Sequence, residues 1–136
     1  MKSELTALAD FITGQLIREG FVVQRYDSCT SDSIYLKLDY GVCNSIRISD
    51  HQGKKHLKYR YNIGPFVKEY SAEKDKFDRF YYRADKAKNM IRKILADREF
   101  KKSRYGEGHY RTFMETNKRE KAGTIGFWKD AVLLNA

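Results

Sequence analysis

Proline occurs once in this chain of 136 residues, cysteine twice and histidine three times. The lone Pro65 excludes a polyproline or low-complexity linker. Cys29 and Cys43 are too few for a disulfide framework, and in a reducing cytoplasm both are expected as free thiols. Together with His51 and His56 they fall at separations of 14, 8 and 5 residues, without any paired Cys-x-x-Cys or His-x-x-x-His. No metal and no cofactor is expected. No stretch approaches the ~18 apolar residues that a membrane span needs. Met1-Lys2-Ser3-Glu4 leads into an amphipathic pattern instead of a signal-peptide apolar block. The expected location is the cytoplasm, with no membrane partner.

Catalytic signatures are missing as well. No Gly-x-Ser-x-Gly elbow surrounds the serines near His51 or His109, no Walker loop occurs, and no Gly-x-Gly-x-x-Gly follows a strand pattern. Asp39 and Asp50 lie near strand ends without the further acid and lysine of a metal-dependent nuclease. The expectation is a protein that binds and is not an enzyme.

What the chain does have is aromatic residues and positive charge. Ten Tyr, eight Phe and a hydrophobic fraction of 41% are enough for a folded core despite 33% charged residues, and the length suits one domain over residues 1–136. The charge is uneven. Residues 1–50 carry five Lys/Arg against seven Asp/Glu, and residues 51–136 carry twenty-two against eleven. The excess is densest from Lys86 to Arg104, where eight cations face only Asp97 and Glu99. So concentrated a field attracts polyvalent anions, and phosphates on nucleotides and nucleic acids are the abundant ones.

Leu5, Leu8, Ile12 and Leu16 recur at steps of three and four, which predicts a helix from about Ser3, its cap, to Glu19, ended by Gly20. The period then changes to two. Ile34, Leu36 and Leu38, then Ile46 and Ile48, then Leu57, Tyr59, Tyr61 and Ile63 alternate with polar residues, predicting a small antiparallel sheet of three to four strands with one wet face bearing Lys37, Arg47, Lys58 and Arg60. Phe77, Phe80 or Tyr81, Ala84, Ala87, Ile91, Ile94 and Leu95 predict a long basic helix from about Glu73 to Glu99, covering the sheet with the first helix in an α+β architecture. Gly106-Glu-Gly108 breaks that helix, and a short one is predicted from Arg111 to Lys121. The apolar end, Phe127, Trp128, Val132, Leu133 and Leu134, must pack onto the chain's own core or onto another subunit, and a homo-oligomer is expected.

One stretch combines groups that suit a nucleotide. In Arg104-Tyr-Gly-Glu-Gly-His-Tyr-Arg111 the two Arg can fork onto phosphate oxygens, Tyr105, Tyr110 and His109 can stack on a base or meet ribose hydroxyls, and glycines allow close backbone approach. Phe80 or Tyr81 from the long helix is expected to complete it by stacking. The expected ligand-binding set is therefore Phe80, Tyr81, Arg104, His109, Tyr110 and Arg111. A plain turn in an Arg- and Tyr-rich chain explains the same residues without a ligand.

Three segments together resemble a known module: Ser31-Asp-Ser-Ile-Tyr-Leu-Lys-Leu, Ser45-Ile-Arg-Ile-Ser-Asp-His51 and Tyr59-Arg-Tyr-Asn-Ile63, followed by a basic helix. This succession resembles bacteriophage counter-defence proteins, in particular the Thoeris anti-defence sponges, and is similar to a strand pattern in one type II anti-CRISPR protein. The resemblance covers roughly residues 31–63. It implies a non-enzymatic protein, acting in the cytoplasm of an infected bacterium, that sequesters a small cyclic nucleotide of the cyclic ADP-ribose class. The anti-CRISPR likeness implies instead a basic helix laid on guide RNA or on a CRISPR nuclease. A basic RNA- or DNA-binding module of a mobile element needs only the charge.

Overall fold

The structure is a computed structural model, and it describes residues 2–50, 59–67, 78–120 and 126–135. The 3.6-residue spacing at the start becomes helix α1 (Lys2–Arg18), with Leu5, Ala9, Ile12 and Leu16 fully buried along one face. Ser3 lies inside the first turn, because the helix begins at Lys2. The helix closes in a Schellman motif around Gly20: the Gly20 N–H donates to the Ile17 carbonyl and the Phe21 N–H to the Leu16 carbonyl, both at 3.0 Å. Buried Arg98 satisfies another terminal carbonyl, donating from Nη2 to Glu19 at 2.9 Å while its guanidinium lies over the Phe21 ring.

The alternating segments form β1 (Val23–Asp27), β2 (Ile34–Leu38) and β3 (Ser45–Ile48), paired antiparallel in sequence. Beyond them the expected antiparallel sheet of three to four strands is corrected. β4 (Tyr61–Gly64) pairs parallel with β3, β5 (Phe80–Arg83) pairs parallel with β4, and β6 (Val132–Leu133) pairs antiparallel with β1. The result is a six-stranded mixed sheet in the order β5-β4-β3-β2-β1-β6. Alternation reports which face a side chain takes and is silent on direction. The connections at 49–60 and 65–79 reach the length of about a dozen residues that a parallel crossover requires. The expected strand start at Leu57 and the Lys58 position lie outside the described residues.

The long helix also begins later than expected. Phe80-Tyr-Tyr82 are strand formers, buried in the alternating pattern of a strand with Phe80 and Tyr82 inward. A 3-10 turn (Ala84–Lys86) follows, and then α2 (Ala87–Tyr105). Phe80 and Tyr81 therefore sit on an edge strand and not on the helix; Glu73 and Phe77 lie outside the described residues. Ala87, Met90, Ile91 and Ile94 of α2 join α1 over one face of the sheet, against Leu36, Ile46, Ile48, Tyr61 and Ile63. At the end of this layer Gly64 approaches β3 so closely that a Cβ would lie 1.6 Å from the Ser49 carbonyl oxygen, a space only hydrogen fits.

The other face is not wet. Tyr26, Tyr35, Lys37 and Arg47 project there, and the tail turn Gly126–Asp130 packs on the first three. Phe127 meets Tyr26 and Tyr35 edge-on, each at 4.7 Å between centroids, and Lys37 Nζ lies 4.5 Å from the Trp128 ring. Arg47, expected in solvent, is 4% exposed. The front of the apolar tail thus packs on the chain's own sheet, while Val132, Leu133 and Leu134 remain exposed. Among the described residues no helix is long and apolar enough to cross a membrane.

Candidate functional site

The stretch singled out in the sequence is the elbow between α2 and a third helix, α3 (Glu107–Glu120). Gly106 makes the elbow: its φ of 86° lies where side chains are strained, while its N–H donates to the Lys102 carbonyl and its carbonyl accepts from the Tyr110 N–H. Gly108 has open space around a would-be Cβ, so the fold does not require glycine there.

The elbow is tied to the β2–β3 connection by three hydrogen bonds. The Tyr110 hydroxyl donates to Asp39 Oδ2 at 2.6 Å, and Asp39 Oδ1 accepts the Val22 N–H at 2.9 Å. Asn117 Nδ2 donates to the Tyr40 carbonyl at 2.9 Å, and Lys101 Nζ to the Val42 carbonyl at 2.5 Å. Asp39, Tyr40 and Asn44 all take left-handed backbone conformations in this connection, and its carbonyls turn outward to meet α2 and α3. Burial first, and the Asp39 bond second, push the Tyr110 phenol well above its usual range. Tyr110 is therefore a neutral buried anchor, with no face free for a base.

Around this anchor opens a groove of about 680 Å³, lined by Val42, Lys101, Tyr105, Tyr110, Phe113, Asn117 and two threonines. Its outer wall is aromatic. Tyr105 and Phe113 are exposed and meet edge-on at 5.8 Å, the Arg104 guanidinium lies 5.8 Å from the Tyr105 ring, and the His109 ring stands 6.5 Å from Phe113. His109 Nδ1–H donates to the Tyr105 carbonyl at 2.8 Å, which leaves Nε2 toward solvent. Arg111 is exposed on α3. The structure thus gathers Arg104, Tyr105 and His109 and sends Tyr110 inward. It does not bring Phe80 or Tyr81 to them: Phe80 is buried against Tyr61, Arg60 and Lys93, Tyr81 lies by Arg79, and among the described residues no ring contact joins either to the elbow.

Sequence reasoning missed Phe113, Asn117 and Val42. The signal was present, since Tyr110, Phe113 and Asn117 follow a helical i, i+3, i+7 step, but the helix was expected to start at Arg111 and so lost its first turn. Among the described residues no group of three His, Cys, Asp or Glu side chains is placed to hold a metal, and Cys29 and Cys43 are free thiols. Comparison with known proteins finds no matching family, no matching curated protein and no matching solved structure.

Proposed function

We propose that this chain is a non-enzymatic binding protein that captures a small nucleotide at the elbow groove, in the manner implied by the resemblance to phage anti-defence sponges for cyclic ADP-ribose signals. One observation carries the reading: a groove of about 680 Å³ whose exposed rings, Tyr105 and Phe113, stand beside Arg104, His109 and Lys101. Ligand pockets usually measure about 300–1,000 Å³. A base needs a ring to stack on and a diphosphate needs forked cations; the outer wall offers both. The bound set is Arg104, Tyr105, His109, Arg111 and Phe113, supported by the buried Tyr110.

Thermal shift against a panel of cyclic nucleotides tests this, because ligand at 100 times its Kd adds about 2.7 kcal/mol of stability. Tyr105→Ala removes one stacking face and costs about 1–3 kcal/mol of binding, whereas Lys88→Ala, a cation at the far end of α2, leaves affinity unchanged. Equal small losses in both variants would mean a diffuse basic surface. That outcome favours the second reading, RNA or DNA binding, which the exposed cations Lys88, Arg92, Arg104, Arg111 and Arg119 along α2 and α3 support. Its mark is affinity that falls steeply with salt. Self-association through exposed Val132, Leu133 and Leu134 belongs to the main reading, and light scattering that gives a mass above the monomer's 16.0 kDa checks it.

A further inference from the structure

The second face of the sheet holds a cation that the fold does not use. Arg47 sits on β3, between Tyr35 of β2 and Asn62 of β4 in the register, and is 4% exposed. Its Nε is buried without a hydrogen-bond partner, and among the described residues no carboxylate lies within ion-pair distance of it. Burying a charge without a partner is expensive, and such groups are normally paired. Arg98, 9% exposed, also has an unpaired Nε, but its guanidinium donates from Nη2 to a helix-end carbonyl, and among the described residues Arg47 makes no such bond.

Beside the polar Asn62, aromatic rings gather on this face near Arg47. Tyr35 and Tyr59 meet at 4.9 Å, Phe127 stands edge-on to Tyr35 at 4.7 Å, and Trp128 continues the ring cluster at 4.8 Å from Phe127. Lys37 is the diagonal neighbour of Arg47 across β2 and β3, a separation of about 7–8 Å, and its ammonium caps the Trp128 ring. Burial lowers the Lys37 pKa, and burial with the neighbouring Tyr35 pushes Tyr59 up to about 12 even against the positive charge of Arg47. The nearest acid from the tail, Asp130, acts on Tyr26 at the far side of the cluster and is exposed. Two cations therefore project from diagonal positions on this face with no ion pair to either among the described residues, and the half-buried Lys37, Tyr59 and Trp128 form the rim that solvent reaches.

We propose that this face is a second binding site, separate from the elbow groove, for a small ring-bearing oxyanion: its phosphate or carboxylate is held by Arg47 and Lys37, and its ring packs beside Tyr59 and Trp128. Arg47 matches the planar fork of such a group, and aromatic side chains hold a planar apolar body. The missing partner of a buried arginine is the ligand.

Trp128 is the chain's one tryptophan, so its fluorescence reads this face alone. Phenyl phosphate and benzoate serve as probes, with inorganic phosphate as the ring-free control. The expected result is a saturable change in Trp128 emission with either probe, at least tenfold weaker with inorganic phosphate. Arg47→Met is expected to abolish that change and to raise the melting temperature of the ligand-free protein by roughly 3 °C or more, because it removes an unpaired buried charge. Lys37→Met is expected to weaken binding at least tenfold in a folded protein. No saturable change with either probe overturns the proposal, as does an unaltered response in Lys37→Met. A lower melting temperature or failure to fold in Arg47→Met overturns it too, since Arg47 would then be a structural cation.

Discussion

The two faces of the sheet are finished differently. Under α1 and α2 the strand side chains are apolar and fully buried, the Tyr61 hydroxyl donates to Asp97, which also takes Lys93 at 2.5 Å, and the unpartnered polar atoms, Thr13 Oγ1 and Arg98 Nε, belong to the covering helices. Under the tail the cover is thin, a single turn with Phe127 and Trp128, and Gln24 Oε1 and Arg47 Nε lie buried without partners among the described residues. On the first face the strands themselves hold none of these unpaired atoms. The second carries groups that stability alone would remove, and such groups in a folded protein point to a purpose other than folding.

The largest test of this contrast is a truncation on each face. Ile46→Ala opens a cavity beneath the helices and is expected to cost about 2–5 kcal/mol in urea unfolding. Phe127→Ala, on the half-buried second face, is expected to cost only about 1 kcal/mol. Equal losses would mean that the tail is as much core as the helices are. A middle-sized effect belongs to the anchor of the elbow: Tyr110→Phe leaves Asp39 with the Val22 N–H alone and is expected to cost about 1–3 kcal/mol. Nucleotide affinity should change less than about twofold, the result of losing one remote positioning contact. A tenfold loss of affinity would make Tyr110 a ligand contact.

The smallest effect is in alkali. Burial pushes the Cys43 thiol, on the helix face, and the Tyr59 phenol, on the second face, up to about 12 from ordinary values of 9.0 and 10.0. The folded protein keeps protons that the unfolded chain releases, so this stability is whole below about pH 9 and is lost as pH climbs from there through about 12. Urea midpoints across that window should fall more gently in Cys43→Ala and in Tyr59→Phe than in the parent, and more gently in the first because Cys43 is wholly enclosed.

Much of this was legible in the chain. The burial of Ile34, Leu36, Leu38, Ile46 and Ile48, the first helix with Gly20 at its end, and the elbow at Gly106 all follow from local period and backbone preference. Strand direction was not, because a parallel pair such as Arg47 with Asn62 has the same alternation as an antiparallel one. Phe80 was misplaced because Phe80, Ala84, Ala87 and Ile91 fit a helical stripe by coincidence, and only pairing with Tyr61 makes a strand of it. For the candidate site, charge and aromatic content marked the elbow, but whether Tyr110 faced solvent or Asp39 depends on a contact 71 residues away in sequence. Arg47 looked solvated for a related reason: nothing local to β3 announces that Phe127 returns to pack on Tyr35, its neighbour across the strands.

Amide chemical-shift mapping with cyclic ADP-ribose tests the central claim most directly, because it locates the ligand without presuming a contact. The account predicts saturable shifts concentrated at Lys101, Tyr105, Gly106, His109, Phe113 and Asn117, around the groove. Shifts spread along the solvent side of α2 at Lys88 and Arg92, or no shifts at millimolar ligand, would contradict it.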